Sequence, residues 1–207
     1  RCNMVTLSDH ERYEDKIMID YSSDEISSEE AAELIKELNR HFQSESLVFY
    51  PGISYRHCMV LHNGVIESEL TPPHDILEKV IGPYLPSGKD TEILLDMMKK
   101  SYDFLKDHPV NKAREAKGLR PANSIWLWGQ GRRPSIPRFY DKYGITGSVI
   151  SAVDLIKGIG ICAGLNSVDV EGATGNIHTN FRGKAEAALK ELEAGRDFVY
   201  IHVEAPD

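Results

Sequence analysis

The sequence predicts an α/β chain in two parts, an antiparallel α+β unit followed by a length of parallel sheet. Three observations carry that expectation. In the first half, short alternating strand signals surround one long amphipathic helix. In the second half, apolar runs and helical stretches alternate, the rhythm of βαβ units whose buried strands read as continuous apolar segments. The texture changes between the two near Pro121, so the candidate boundary lies at Arg120 to Asn123, giving parts 1–122 and 123–207.

Taken in order, Cys2 to Leu7 and Lys16 to Tyr21 read as strands joined by the charged stretch Ser8 to Asp15. Ser27 or Ser28 can cap a helix with Glu29 and Glu30 in its first turn, and Ala31, Leu34, Ile35, Leu38 and Phe42 follow at helical spacing. Leu47 to Tyr50 is a strand stopped by Pro51-Gly52; Ser54 to Leu61 is another, closing on the turn signal Asn63-Gly64. Thr71-Pro72-Pro73-His74-Asp75 is a stiff approach to a short helix from Ile76. Thr91 to Lys106 and Asn111 to Lys117 are helical, the second capped by Asn111 and ended by Gly118. Beyond Pro121, Ser124 to Trp128, Ile136 to Tyr143, Gly147 to Ala152, Leu155 to Leu165, Val168 to Val170, Arg182 to Ala194 and Phe198 to Val203 continue the alternation.

Composition narrows the function. At 207 residues, 41% hydrophobic and 27% charged, the chain has the makings of a real core and is not disordered. Its 24 Lys+Arg against 32 Asp+Glu leave a net charge of −8, which opposes approach to nucleic acid or an anionic membrane. Neither is expected as a partner, and an anionic substrate must find positive charge gathered locally. Cys2, Cys58 and Cys162 are odd in number and widely spaced, so a reducing cytoplasm is the default. No apolar run approaches the roughly 20 residues that span a bilayer. The chain opens on Arg1-Cys2-Asn3 straight into an apolar segment and stops just after a strand signal, which reads as a piece excised from a longer protein.

Several strings are placed for chemistry, each with a plainer alternative. Trp126-Leu127-Trp128-Gly129-Gln130-Gly131 is a strand running into a glycine turn, where parallel sheets bind ligands, or simply a buried strand and a tight turn. Lys157, at the head of an apolar helix, is a phosphate ligand or a snorkelling surface lysine. His74-Asp75 is an acid–base pair, or Asp75 is a helix cap. In Tyr55-Arg56-His57, Arg56 faces away from its neighbours, toward a ligand or toward solvent. Asp207 follows a strand, where carboxylates bind metals in open α/β sheets, though a terminal Asp alone says nothing. No P-loop, HExxH, zinc spacing or GxSxG is present.

Together these strings resemble one family. They are Arg1-Cys2-Asn3, Asp20-Tyr21-Ser22, Phe49 to His57, Pro73-His74-Asp75, His108-Pro109-Val110-Asn111, Pro121 to Gly131, Ile150 to Leu155, Gly172-Ala173-Thr174-Gly175 and His202 to Asp207. The chain resembles, from end to end, the archaeal-type cofactor-independent (2,3-bisphosphoglycerate-independent) phosphoglycerate mutases of the alkaline phosphatase superfamily, some of which carry a homoserine kinase-like label. The resemblance implies a phosphatase-like core with two divalent metals, manganese or magnesium, and a transiently phosphorylated Ser. It also implies an inserted α+β domain that holds the glycerate while the phosphoryl group returns to the other hydroxyl.

By that map residues 1–122 are the inserted domain and 123–207 a segment of the metal-binding core. Lys157 would contact the transferred phosphoryl group, Asp207 would be a metal ligand, and Arg56, His57, His74, Asp75 and Arg114 would hold the substrate. The Ser and the other metal ligands would lie outside this chain, leaving it without metals and inactive alone. The expected role is an isomerase of glycolysis and gluconeogenesis; the alternatives are another phosphotransferase or phosphatase on the scaffold, or a non-catalytic anion-binding module. After Asp20-Tyr21-Ser22 the family usually continues Ala-Gly-His, where this chain has Ser23-Asp24-Glu25. That exchange puts a carboxylate where an imidazole is usual.

Overall fold

The computed structural model describes residues 1–64, 67–89 and 91–204, which form two compact units, Arg1–Gly131 and Arg132–Asp207. The first contains β1 (Cys2–Leu7), β2 (Met18–Asp20), α1 (Ser28–Phe42), β3 (Leu47–Tyr50), β4 (Arg56–Leu61), β5 (Ser68–Glu69), β6 (Ser87–Gly88), α2 (Thr91–Leu105), α3 (Pro109–Ala116) and β7 (Ser124–Leu127). β1 is its axis. All six of its residues are buried, and it pairs antiparallel with β4 at Cys2 and Asn3, with β2 at Thr6 and Leu7, and with β7 from Cys2 to Val5. A strand buried on both faces must satisfy its polar side chains internally. Thr6 donates to the Pro121 carbonyl at 2.8 Å, and Asn123 extends the ladder by bonding both backbone groups of Leu7 at 2.8 Å.

Helix α1 forms as its pattern predicts. The Ser27 hydroxyl accepts from Glu30 N at 3.2 Å, and Ala31, Leu34, Ile35 and Leu38 enter the core beside Met4, Phe49 and Trp126.

Three local expectations are corrected. β7 does not join the parallel sheet: its register with β1 is antiparallel (Asn3↔Trp126, Met4↔Ile125), and the first unit runs on to Gly131. A continuous apolar run reports burial on both faces, not strand direction. No helix starts at Ile76. A single 3-10 turn, Pro73–Ile76, ends there, since Glu78 takes φ +61° and the backbone is drawn to the edge of β2, where Glu78 N donates to Met18 O at 2.8 Å. Nor does Asn111 cap α3; His108 does, through Nδ1 and Val110 N at 3.2 Å. Asn111 is buried and ties Leu105 O and both backbone groups of Ala122.

Ser23, Asp24 and Glu25, between β2 and α1, have φ of +53°, +54° and +48°. Three successive left-handed residues that are not glycine cost about 1–2 kcal/mol each and need outside support.

The second unit contains α4 (Phe139–Tyr143), β8 (Gly147–Ile150), α5 (Asp154–Cys162), β9 (Asn166–Val168), α6 (Phe181–Glu193) and β10 (Phe198–Ile201). Its sheet is parallel, in the order β10-β8-β9, as the βαβ rhythm predicts. Gly160 lets α5 lie on β8, for a Cβ there would stand 2.4 Å from Val149 Cγ1. No helix among the described residues is long and apolar enough to cross a membrane.

Candidate functional site

The pairing of β1 with β4 and β7 gathers one cluster from distant segments. Directly opposed residues share a face of a sheet. Asn3 therefore shares a face with Arg56 on β4 and Trp126 on β7. Just past β7, Trp128 donates its indole N–H to Asn3 Oδ1 at 2.9 Å, while Asn3 Nδ2 donates to Tyr21 O at 3.2 Å. The buried amide is thus a fixed joint between two aromatic residues. Around it, His74 meets the rings of Tyr21 and Trp128 edge-on at 6.2 and 5.4 Å, and Tyr21 meets Tyr55 at 5.9 Å.

Two arginines stand over this aromatic group. Arg1 lies 4.9 Å from the centre of the Trp128 ring and Arg56 4.3 Å from that of Tyr55. The first unit's other arginines, Arg12, Arg40, Arg114 and Arg120, pair with carboxylates. Among the described residues, Arg1 and Arg56 do not. A guanidinium stacked on a ring is oriented yet keeps its donors for a ligand, and its fork matches carboxylate and phosphate oxygens. His74, half-exposed, adds a third positive charge when protonated, tempered by Asp75 Oδ1 at 3.7 Å from Nε2. Asp75 lies inside its 3-10 turn and does not cap it.

Of the residues singled out from the sequence, Arg56, His74 and Asp75 belong to this cluster. His57 is next in the chain but points the other way and is buried. Its Nδ1 accepts from Gly52 N at 3.1 Å, so the neutral ring carries its proton on Nε2, which has no partner among the described residues. Burial lowers its pKa to about 4. Arg114 is 2% exposed, with Nε on Arg120 O at 3.0 Å, Nη2 on Ser23 O at 2.5 Å and Nη1 on Glu30. In this arrangement it presents no free edge to an anion. Arg1, Asn3 and Tyr21 join the site from strings that marked only the resemblance, with the alternation of Arg1 and Asn3 as the available signal; Trp128 comes from the glycine-turn string, though it enters on an antiparallel strand end rather than a parallel one.

In the second unit, Lys157 sits in the first turn of α5 and its ammonium pairs with the exposed Asp169 at 2.6 Å. An exposed partner of this kind gives way to a stronger anion at little cost. Asp207 lies outside the described residues. Among those described, no group of three or more His, Cys, Asp or Glu side chains is arranged to hold a metal ion, so the residues present do not make up the centre the resemblance implies.

An open cleft of about 390 Å³ lies elsewhere in the first unit, lined by Asp9, Arg12, Lys16, Lys99 and Tyr102 among others. Size alone does not make it the site. Lys16 is spent on the carbonyls of Ser8 and His10 and on the Tyr102 ring at 3.8 Å, and Asp9, Glu11, Glu14 and Asp103 offset the remaining cations.

Known proteins match along the chain. The sequence pattern of the 2,3-bisphosphoglycerate-independent phosphoglycerate mutase family matches residues 1–111. Proteins of that name from Methanothrix thermoacetophila and Methanosarcina barkeri are 50% and 51% identical; each match covers 100% of this chain and 50% of the relative. A solved protein of Pyrococcus horikoshii superposes with a TM-score of 0.67 at 25% identity, over 99% of this chain and 46% of that one. A cofactor-independent phosphoglycerate mutase of Thermoplasma acidophilum, at 23% identity and a TM-score of 0.57 over 98% and 53% of the two chains, shares the fold. The chain spans about half the length of the curated relatives it matches.

Proposed function

The chain belongs to the 2,3-bisphosphoglycerate-independent phosphoglycerate mutase family, and on that premise we propose that it supplies the substrate-holding part of such an enzyme. The parent protein interconverts 3-phosphoglycerate and 2-phosphoglycerate through a phosphoserine, as a step of glycolysis and gluconeogenesis in the cytoplasm. The inserted domain is the first unit, β7 included, rather than residues 1–122 alone, and the second unit is a segment of the phosphatase-like core. Its partner is a small phosphorylated anion, with no role for nucleic acid or membrane.

One observation carries the reading. On a chain of net charge −8, Arg1 and Arg56 are left unpaired among the described residues and turned to rings around one buried Asn3. Their charge-assisted bonds to a carboxylate or phosphate orient the glycerate; His74 and Asp75 offer one proton donor and one acceptor beside it. Lys157 answers the transferred phosphoryl group by point charge once Asp169 is displaced. Two divalent ions, manganese or magnesium, would neutralise phosphoryl oxygens in the parent. Their ligands lie beyond the described residues, and the chemistry derived from this chain does not run through them. The 207-residue chain alone is then inactive.

The test is a titration of the chain with 3-phosphoglycerate, read by tryptophan emission. A saturable change is expected, weakened about ten-fold or more by Arg56→Ala, the loss of one charge-assisted hydrogen bond. In the parent the same substitution lowers kcat/KM by a similar factor. Equal affinity in the variant removes Arg56 from the site.

A further inference from the structure

Tyr21 reaches the cluster from a segment that needs support. Ser23, Asp24 and Glu25 are left-handed in succession, and L-residues visit that region singly because Cβ crowds the following carbonyl. Three in a row must be held from outside. Asp20 Oδ1 accepts from Ser22 N and Ser22 Oγ, both at 2.8 Å, and its Oδ2 from Asp24 N at 2.7 Å. Arg120 Nη1 donates to Asp20 Oδ2 at 3.1 Å, and its backbone N–H to Asp24 Oδ2 at 2.7 Å. Ser23, wholly buried, places its hydroxyl 3.2 Å from Thr6 Oγ1. Arg114, reaching over from α3, takes the Ser23 carbonyl at 2.5 Å and the Arg120 carbonyl at 3.0 Å, its charge answered by Glu30. At the near end of the turn, Tyr21 O accepts from Asn3 and the Tyr21 ring meets those of Tyr55 and His74.

We propose that Arg114 is a positioning residue for the anion site: by gripping the Ser23 carbonyl it keeps the left-handed turn wound, and the turn sets Tyr21 against Asn3, Tyr55 and His74. The proposal rests on reading that cluster as the anion site. It gives a buried arginine with every nitrogen engaged a task that direct contact with an anion does not. Arg120, half-exposed, is the weaker clamp on the same turn, which it holds through Asp20 and Asp24.

The experiment follows two readouts in the 207-residue chain. One is tryptophan emission during titration with inorganic phosphate and with 3-phosphoglycerate. The other is the His74 Cε1–H proton resonance, whose position carries the ring currents of Tyr21 and Trp128. Arg114→Lys, folded by far-UV circular dichroism, should bind about ten-fold more weakly and show a displaced His74 resonance. Adding Glu25→Gly should restore both, because glycine adopts positive φ without steric cost and the turn rewinds with less help.

A residue that served only the packing of α3, or that bound the anion directly, would not be rescued by a glycine in another segment. Where Arg114→Lys fails to fold, Arg120→Ala takes its place, with a smaller displacement and the same rescue. An unmoved His74 resonance in the folded variant, or no recovery with Glu25→Gly, overturns the proposal. Should the unsubstituted chain bind no anion, the anion reading falls, while the His74 displacement and its recovery still decide the positioning role.

Discussion

In the first unit the side chains of α1 and β1 vanish into a common core, with Leu34, Leu38 and Met4 at 0% exposure. In the second, α6 leaves Phe181, Leu189 and Leu192 at 52%, 59% and 46%, and β10 leaves Tyr200 and Ile201 at 45% and 43%. Both units are built from apolar strands and amphipathic helices, so composition is not the difference. The first closes a sheet around β1 and covers it with α1 and α2. The second holds three parallel strands whose helices still carry apolar residues toward solvent, forgoing about 1.5–3 kcal/mol for each large side chain left uncovered. The main buried cluster of the chain therefore lies in the first unit. The candidate site lies in the unit that has its own core, which is what a rigid cluster of rings and guanidinium groups requires.

The largest test of that contrast is a truncation in the core. Leu34→Ala should cost about 2–5 kcal/mol in the urea unfolding of the first unit, the usual price of a buried leucine that leaves a cavity. A loss below about 1 kcal/mol would mean the first unit is no better packed than the second.

Next in size is a pH effect from His57. Its native pKa of about 4 lies below the ordinary 6.5 because burial disfavours the cation. The unfolded chain therefore takes up the proton first as pH falls. The stability His57 contributes is whole above pH 6.5 and drains away between 6.5 and about 4, on the order of 3 kcal/mol across the window. His57→Gln should flatten that part of the stability profile; an unchanged slope would place the imidazole in water.

The smallest effect belongs to the second unit. Leu189→Ala, on the exposed face of α6, should change stability by less than about 0.5 kcal/mol. A cost near that of Leu34→Ala would erase the comparison.

What was legible in the sequence was what is local. The cap at Ser27 and the spacing of Ala31, Leu34, Ile35 and Leu38 define α1 without reference to the rest of the chain. The succession of β8 and α5 was equally readable from its apolar rhythm, but β9 lies at Asn166–Val168, ahead of the expected Val168 to Val170, because two of its three residues are polar. The direction of β7 was not readable, since a run buried on both faces looks the same in either sense. The site was half legible. Arg56 and His74 stand in rigid, marked strings, but Asn3 and Trp128 meet only because β1 pairs with β7, and no local pattern reports a pairing across that distance. Arg114 misleads for the same reason: a basic residue on a short helix gives no sign that its partners are the Ser23 carbonyl and Glu30.

On the proposed function, the stacked arginines of the first unit hold the anion. Amide hydrogen exchange of the 207-residue chain, with and without saturating 3-phosphoglycerate, tests it most directly. Added protection is expected, confined to the backbone around Asn3, Tyr55 to His57, His74 to Asp75 and Trp128. Protection centred instead on the cleft lined by Asp9, Lys16 and Tyr102, or none in the first unit, would contradict it.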